Sequence, residues 1–182
     1  HIPFEKRSAL NAALDYIGDR VPDAIVINGD LIDFHLLSRH LLDRRNPNVR
    51  DELRLTREFL ESLRQEFPHA RIVYKAGNHE QRLDLYVMRN GPELVGTGAI
   101  KTLPEILNLN DIGIEWVADE RVIKVGKLSV VHGHERPFAG SSNPVNPARG
   151  MFLFAKESTV CGHYHQVSEH AEANLSRVIQ SV

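Results

Sequence analysis

Apolar and polar positions follow two rhythms along this chain. From Lys6 to Arg20, Ala9, Leu10, Ala13, Leu14 and Ile17 recur at helical spacing and predict an amphipathic helix. Ala24 to Asn28 is a continuous apolar run closed by Gly29-Asp30, which predicts a strand buried on both faces. Helical spacing returns from Asp51 to Phe67, where Leu53, Thr56, Leu60, Leu63 and Phe67 share a face and Pro68 ends the helix. Arg71–Lys75 predicts a second strand, Gln81–Asn90 a helix halted by Gly91-Pro92, and Leu103–Leu107 a short helix. After Asp111 the runs shorten. Ile114–Val117, Arg121–Val125 and Lys127–Val131 read as strands, the last two as a hairpin about Gly126. Ala148–Lys156 reads as a helix, and Ser158–Cys161 and Ser176–Val182 as strands. Helix and strand alternate first and strands dominate later, which predicts an α/β layered fold with a partly antiparallel second sheet.

Composition narrows the setting more than the function. A chain of 182 residues, 42% apolar and 25% charged, is most economically one soluble domain. A formal net charge of −2 gives no global reason for affinity to membranes or nucleic acid, and leaves a local patch open. The single cysteine, Cys161, excludes an internal disulfide framework and fits a reducing compartment. No apolar run reaches the roughly 18 residues of a membrane span, so the cytoplasm is the default expectation. The chain opens at His1-Ile2-Pro3-Phe4 with neither a methionine nor a preceding strand, and is expected to lack its beginning. Between Phe34 and Arg50, His35, Arg39, His40, Arg44 and Arg45 form either a solvated loop or a cationic lip for phosphate. Residues 141–147 form a Ser/Asn/Pro loop, and specificity is expected to lie in the 34–50 and 136–149 segments.

The chemistry sits where apolar runs end. Gly29-Asp30, Gly77-Asn78-His79, His132-Gly133 and Gly162-His163-Tyr164-His165 each join a glycine to ligand-type residues at such an end. Glycine permits the sharp turn, and ligands of open α/β sheets bind at the carboxyl ends of strands. Any one of these pairs alone is ordinary turn sequence; four in one chain point to a metal site. The donors are oxygen and imidazole without thiolate, which favours manganese, iron, zinc, nickel or cobalt over a structural cysteine-type zinc site. A carboxylate such as Asp30 can bridge two cations, and two metals about 3.5–4 Å apart suit an in-line phosphoryl displacement. His134 ranks behind His132 as a ligand, Cys161 is expected to be a small buried apolar residue, and Trp116 belongs to the core.

In that order the motifs resemble the calcineurin-like metallophosphoesterase superfamily. The matching elements are Gly29-Asp30-Leu31-Ile32-Asp33, Gly77-Asn78-His79-Glu80, His132-Gly133 and Gly162-His163-Tyr164-His165, with His1 as the histidine of a first Asp-x-His motif. Features near Phe34-His35 and after His132 are similar to the phage and prophage-type members. The resemblance implies a four-layer α-β-β-α sandwich of two mixed sheets, in a single domain over 1–182 that lacks its first-strand residues and C-terminal strands. It implies two divalent ions, manganese first. One would lie on His1, Asp30, His165 and an aspartate preceding His1, the other on Asp30, Asn78, His132 and His163. His79 would be the general acid, oriented by Asp33, while Arg82 and His35 would meet the substrate. The activity implied is hydrolysis of a phosphodiester, or of a phosphomonoester, by a metal-activated hydroxide. A DNA or RNA nuclease using the same site and a non-catalytic metal-binding scaffold stay open as alternatives. A metallo-β-lactamase-type hydrolase does not, because His132-Gly133-His134-Glu135-Arg136 lacks the required His-x-His-x-Asp-His cluster. No membrane partner is expected, and oligomeric state is not readable.

Overall fold

The computed structural model describes residues 1–39, 48–118, 120–135, 146–173 and 178–181. They fall into two units, His1–Trp116 and Val117–Val182. The predicted lip residues His40, Arg44 and Arg45, and residues 141–145 of the predicted loop, lie outside the described residues.

The first unit alternates helix and strand as the apolar spacing predicts. Its elements are α1 (Arg7–Gly18), β1 (Ala24–Asn28), α2 (Val49–Glu66), β2 (Arg71–Lys75), α3 (Gln81–Asn90) and α4 (Leu103–Ile106), and β3 (Ile114–Val117) completes its sheet. The strand order is β1-β2-β3, with β1 and β2 parallel in a register that sets Asn28 opposite Lys75. β2, in the centre, is buried from Ile72 to Lys75, whereas β1 is only half-buried. The run of β1 therefore does not signify burial on both faces: it is an edge strand among the described residues, so one side lacks a neighbour. Ile2 forms a parallel bridge with Ile32, its N–H donating to the Leu31 carbonyl at 2.7 Å and its own carbonyl accepting from Asp33 at 3.0 Å. That bridge fixes His1 beside the loop after β1.

Helix α2 starts two residues before the predicted Asp51, because the Asn48 side chain accepts from the Asp51 N–H at 3.1 Å and caps it. Its Leu60 and Leu63 join Ile32, Phe34, Ile72, Tyr74, Leu103 and Leu107 in the core, with Trp116 edge-on to Tyr74 at 5.0 Å. Leu53 is only partly buried; the position before it, Glu52, is sealed from solvent.

The second unit carries β4 (Ile123–Val125), β5 (Leu128–Val130), α5 (Pro147–Ala155), β6 (Thr159–Val160), β7 (His170–Ala173) and β8 (Val178–Ser181). Its sheet runs β4-β5-β6-β8-β7 and is mixed, antiparallel at both outer pairs and parallel between β5, β6 and β8. The β4–β5 hairpin turns at Gly126, whose φ of 59° is left-handed. β7 escapes sequence reading because the only apolar residues of His-Ala-Glu-Ala are alanines, which are poor strand formers; it pairs antiparallel with β8. Asn146 caps α5 through the Arg149 N–H, and Pro147, Ala148, Met151 and Phe152 are its buried residues. Two sheets in a mixed α/β chain are what the resemblance implies. Among the described residues no helix is long and apolar enough to cross a membrane.

Candidate metal centre

In the first unit, the loop after β1 is bent against its own preference. Gly29 (φ 80°) and Asp30 (φ 55°) are both left-handed, and for a non-glycine residue such as Asp30 that costs roughly 1–2 kcal/mol. The compensating force comes from Glu80, 3% exposed, on the turn into α3. Its carboxylate accepts from the N–H groups of Asp30 (2.8 Å), Leu31 (2.8 Å) and Gly77 (2.7 Å) and from the Tyr74 hydroxyl (2.7 Å). Burial pushes the Glu80 carboxyl up and the Tyr74 hydroxyl well up, the latter with help from Glu80, so Tyr74 stays a donor. One side chain thus staples the loop after β1 to the loop after β2. Gly77 is the reason they can meet: a Cβ there would lie 2.4 Å from Asp30 Oδ1 and 2.6 Å from Asp30 N.

Asp30 is held in turn. Its Oδ1 accepts from the His79 N–H at 3.0 Å, and its Oδ2 faces His1 Nε2 at 3.7 Å and His79 Nε2 at 3.8 Å. His1 Nδ1 meets Asp33 Oδ2 at 2.9 Å. His79 Nδ1 is 3.0 Å from the Asp33 carbonyl, which only accepts, so Nδ1 carries the proton of the neutral ring. Nε2 then accepts from Arg82 Nη2 at 3.0 Å, while Arg82 Nη1 donates to the Asp33 carbonyl at 2.8 Å. His79 is therefore oriented by the Asp33 main chain, its carboxylate standing farther off at 3.6 Å. The neighbouring carboxylates do not win the titration either: burial holds the imidazole below its ordinary value, with Arg82 adding to it and Asp30 and Asp33 opposing. His35 opens a 3₁₀ turn to Leu37 with its ring edge on Phe4 at 5.9 Å, and Asn78 is half-buried beside His79.

In the second unit, His132 follows β5 and is 1% exposed, with His163 at 5.2 Å and His134 at 5.1 Å between ring centroids. His134 is thus packed into the same cluster, 5.9 Å from His163. The two loops are joined by main chain: the N–H groups of Gly162 and His163 both donate to the His132 carbonyl, at 3.0 and 2.9 Å. Glu135 closes the turn by accepting from the His132 and Gly133 N–H groups at 2.9 and 2.6 Å. Gly133, at φ 120°, leaves no room for a side chain, since a Cβ would sit 3.1 Å from that of His163. His165 is exposed and left-handed at φ 52°. Cys161 is half-buried, and burial together with Glu135 pushes its thiol up to about 11, so it offers no thiolate to a metal.

A family description, calcineurin-like phosphoesterase, matches residues 3–167. The chain belongs to that family. It is also 29% identical over 169 residues to the gene 54 protein of Mycobacterium phage L5, covering 91% of this chain and 66% of that protein. The gene 54 protein of Mycobacterium phage D29 is 27% identical over 172 residues, with the same 91% and 66%. The chain thus spans about two-thirds of the length of these relatives, and the phage-type likeness read from the sequence is borne out. The calcineurin-like phosphoesterases are a family of metal-dependent phosphoester hydrolases.

The donors present fit a family metal centre. Two atoms bound about 2.1 Å from one ion stand roughly 3–3.5 Å apart, and His1 Nε2 and Asp30 Oδ2 at 3.7 Å are close to that spacing. His1, Asp33 and His79 also bring one ligand atom each within 4.8 Å of one another. His79 makes the poorer ligand of that set, because both of its ring nitrogens already have protein partners. The sequence reading did not assign the carboxylates that hold these loops. Glu80 was visible as the last residue of its motif, whereas Glu52 and Glu135 carry no pattern. Glu52 accepts from the Phe34 N–H and, at 3.3 Å, from the His35 N–H, and so shapes the turn after Asp33.

Proposed function

We propose that this protein hydrolyses a phosphodiester, and a phosphomonoester less well, at a centre of two divalent ions with manganese as the preferred metal. His1, Asp30 and His165 would hold one ion and Asp30, Asn78, His132 and His163 the other. When bound, such ions supply Lewis acidity to the phosphoryl oxygens and an activated water. The protein supplies the rest. Asp30 arrives in fixed geometry because Glu80, Gly77 and the His79 N–H leave its loop one conformation. With Arg82 moved away, His79 takes up a proton from water at Nε2 and passes it to the departing oxygen, the Asp33 carbonyl holding Nδ1–H so that Nε2 faces outward. Arg82, which rests on Nε2, moves onto a phosphate oxygen as substrate enters and frees that nitrogen.

The observation that carries this reading is the His79–Asp33–Arg82 arrangement beside Asp30, with distances of 2.8–3.0 Å that prescribe one tautomer. A lowered His79 pKa leaves less of the acid form at neutral pH and makes that form a stronger acid. The free, protonated Cys161 supports the cytoplasm as the compartment. The test is hydrolysis of bis-p-nitrophenyl phosphate against p-nitrophenyl phosphate with Mn²⁺. The diester is expected to be preferred, with activity lost by 100-fold or more in both His79→Ala and Asp30→Ala. Equal activity in wild type and either variant would refute the assignment.

A further inference from the structure

We propose that a cleft between the turn after β1 and one face of α3 receives a second phosphate of the substrate, and that the substrate is a nucleic-acid strand. The proposal rests on the phosphodiesterase reading and names its substrate class. The cleft encloses about 250 Å³, and its polar lining comes from Ser38, Arg39, Asn78, Gln81, Arg82 and Arg89. Among the described residues three guanidinium groups line it and no carboxylate does. Such a pocket concentrates anions, whatever the net charge of −2 on the whole chain.

Helical spacing explains the arrangement. Residues 82, 85 and 89 fall on one face of α3, and Arg39 adds a guanidinium from the opposite wall. The first turn of α3 places its positive dipole end at Gln81, beside the cleft. Arg82 ties the cleft to the reaction, since the same guanidinium touches His79 Nε2. Arg89 lies two turns farther on, about 10 Å along the helix axis. An ester with one phosphate would leave Arg39 and Arg89 without an anion. A strand places its next phosphate there. Among the described residues no aromatic ring lines the cleft, so these groups grip the backbone rather than stack a base.

The test is fluorescence anisotropy of a labelled six-nucleotide oligothymidylate on the full chain in chelator, where no hydrolysis occurs, beside bis-p-nitrophenyl phosphate turnover with Mn²⁺. Arg39→Ala/Arg89→Ala is expected to raise the Kd for the strand roughly tenfold. It should lower the slope of log K against log salt by about 1.4, two single-strand phosphate contacts. The loss of kcat/KM on the strand should exceed the loss on the small diester at least fivefold. A wild type that does not bind the strand, or a variant with unchanged Kd and salt slope, overturns the cleft and leaves the phosphodiesterase reading standing. Arginine-dependent binding without turnover of either ester supports the cleft and refutes that reading instead.

Discussion

The two units fix their histidine- and aspartate-bearing loops by different means. In the first, a buried side chain does the joining: Glu80 spans from the loop after β2 to the loop after β1, fifty residues away in sequence from Asp30. In the second, Glu135 accepts from two N–H groups of its own turn, and the His132 carbonyl links the loops by receiving two N–H groups. A carboxylate shared by five donors, the Ile32 N–H at 3.4 Å included, is a single point of failure. A main-chain link with close packing at Gly133 spreads the same task over several residues. The contrast says where a substitution should be fatal and where it should only weaken.

The largest effect belongs to Gly77→Ala. The new methyl would overlap Asp30 Oδ1 and Asp30 N, the latter a backbone atom that cannot swing aside. Phosphoesterase activity should fall by 100-fold or more, with a stability loss of at least about 1–3 kcal/mol by chemical denaturation. The corresponding Gly133→Ala has a nearest contact of 3.1 Å, so it should keep a measurable fraction of activity. Similar losses in the two would remove the distinction.

Glu80→Ala comes next. It leaves the Asp30, Leu31 and Gly77 N–H groups and the Tyr74 hydroxyl without their acceptor, costing on the order of 3 kcal/mol or more. In a chain of this size the thermal midpoint should drop by about 10 °C. Glu135→Ala removes the bonds to the His132 and Gly133 N–H groups and should cost about 1–2 kcal/mol. An Glu135→Ala midpoint as low as that of Glu80→Ala would show that both units depend on one carboxylate.

The smallest effect is a slope. Burial, with the Asp33 charge adding to it, pushes Glu52 up to about 7 from 4.5, while its bonds to the Phe34 and His35 N–H groups pull the other way. The folded protein therefore binds a proton that the unfolded chain releases above about 4.5. This contribution is fully present below pH 4.5 and is lost as pH rises through 7. The thermal midpoint should fall by several degrees between pH 5 and 8 from this residue, and the trend should flatten in Glu52→Gln. An equal slope in both proteins would show that Glu52 does not titrate in this range.

Most of the fold was legible because its elements follow apolar spacing. β1, β2, α3 and β3 lie where the periodicity placed them, since each combines a clean run with a turn residue at its end. β7 was not legible, because its pairing with β8 and not its own residues makes it a strand. The ligand-type residues could be read for a related reason: a glycine beside a histidine or aspartate at a strand end is a local signature. What holds them is not local. Glu52 sits in a helix where spacing marks Leu53, and only the turn at Phe34-His35, eighteen residues before, explains its burial. The tautomer of His79 likewise depends on a main-chain carbonyl that no motif records. Global charge is likewise silent on local placement, since a value of −2 sums over the whole chain and does not reveal the three arginines of the cleft beside α3.

The most direct test of the account is a metal count. Equilibrium dialysis of the protein against Mn²⁺, followed by elemental analysis, should find two ions per chain. His163→Ala should retain one, and Asp30→Ala, which removes the carboxylate proposed to bridge both, should retain neither. A single ion in the wild type, or two in Asp30→Ala, would contradict a two-metal centre built on Asp30.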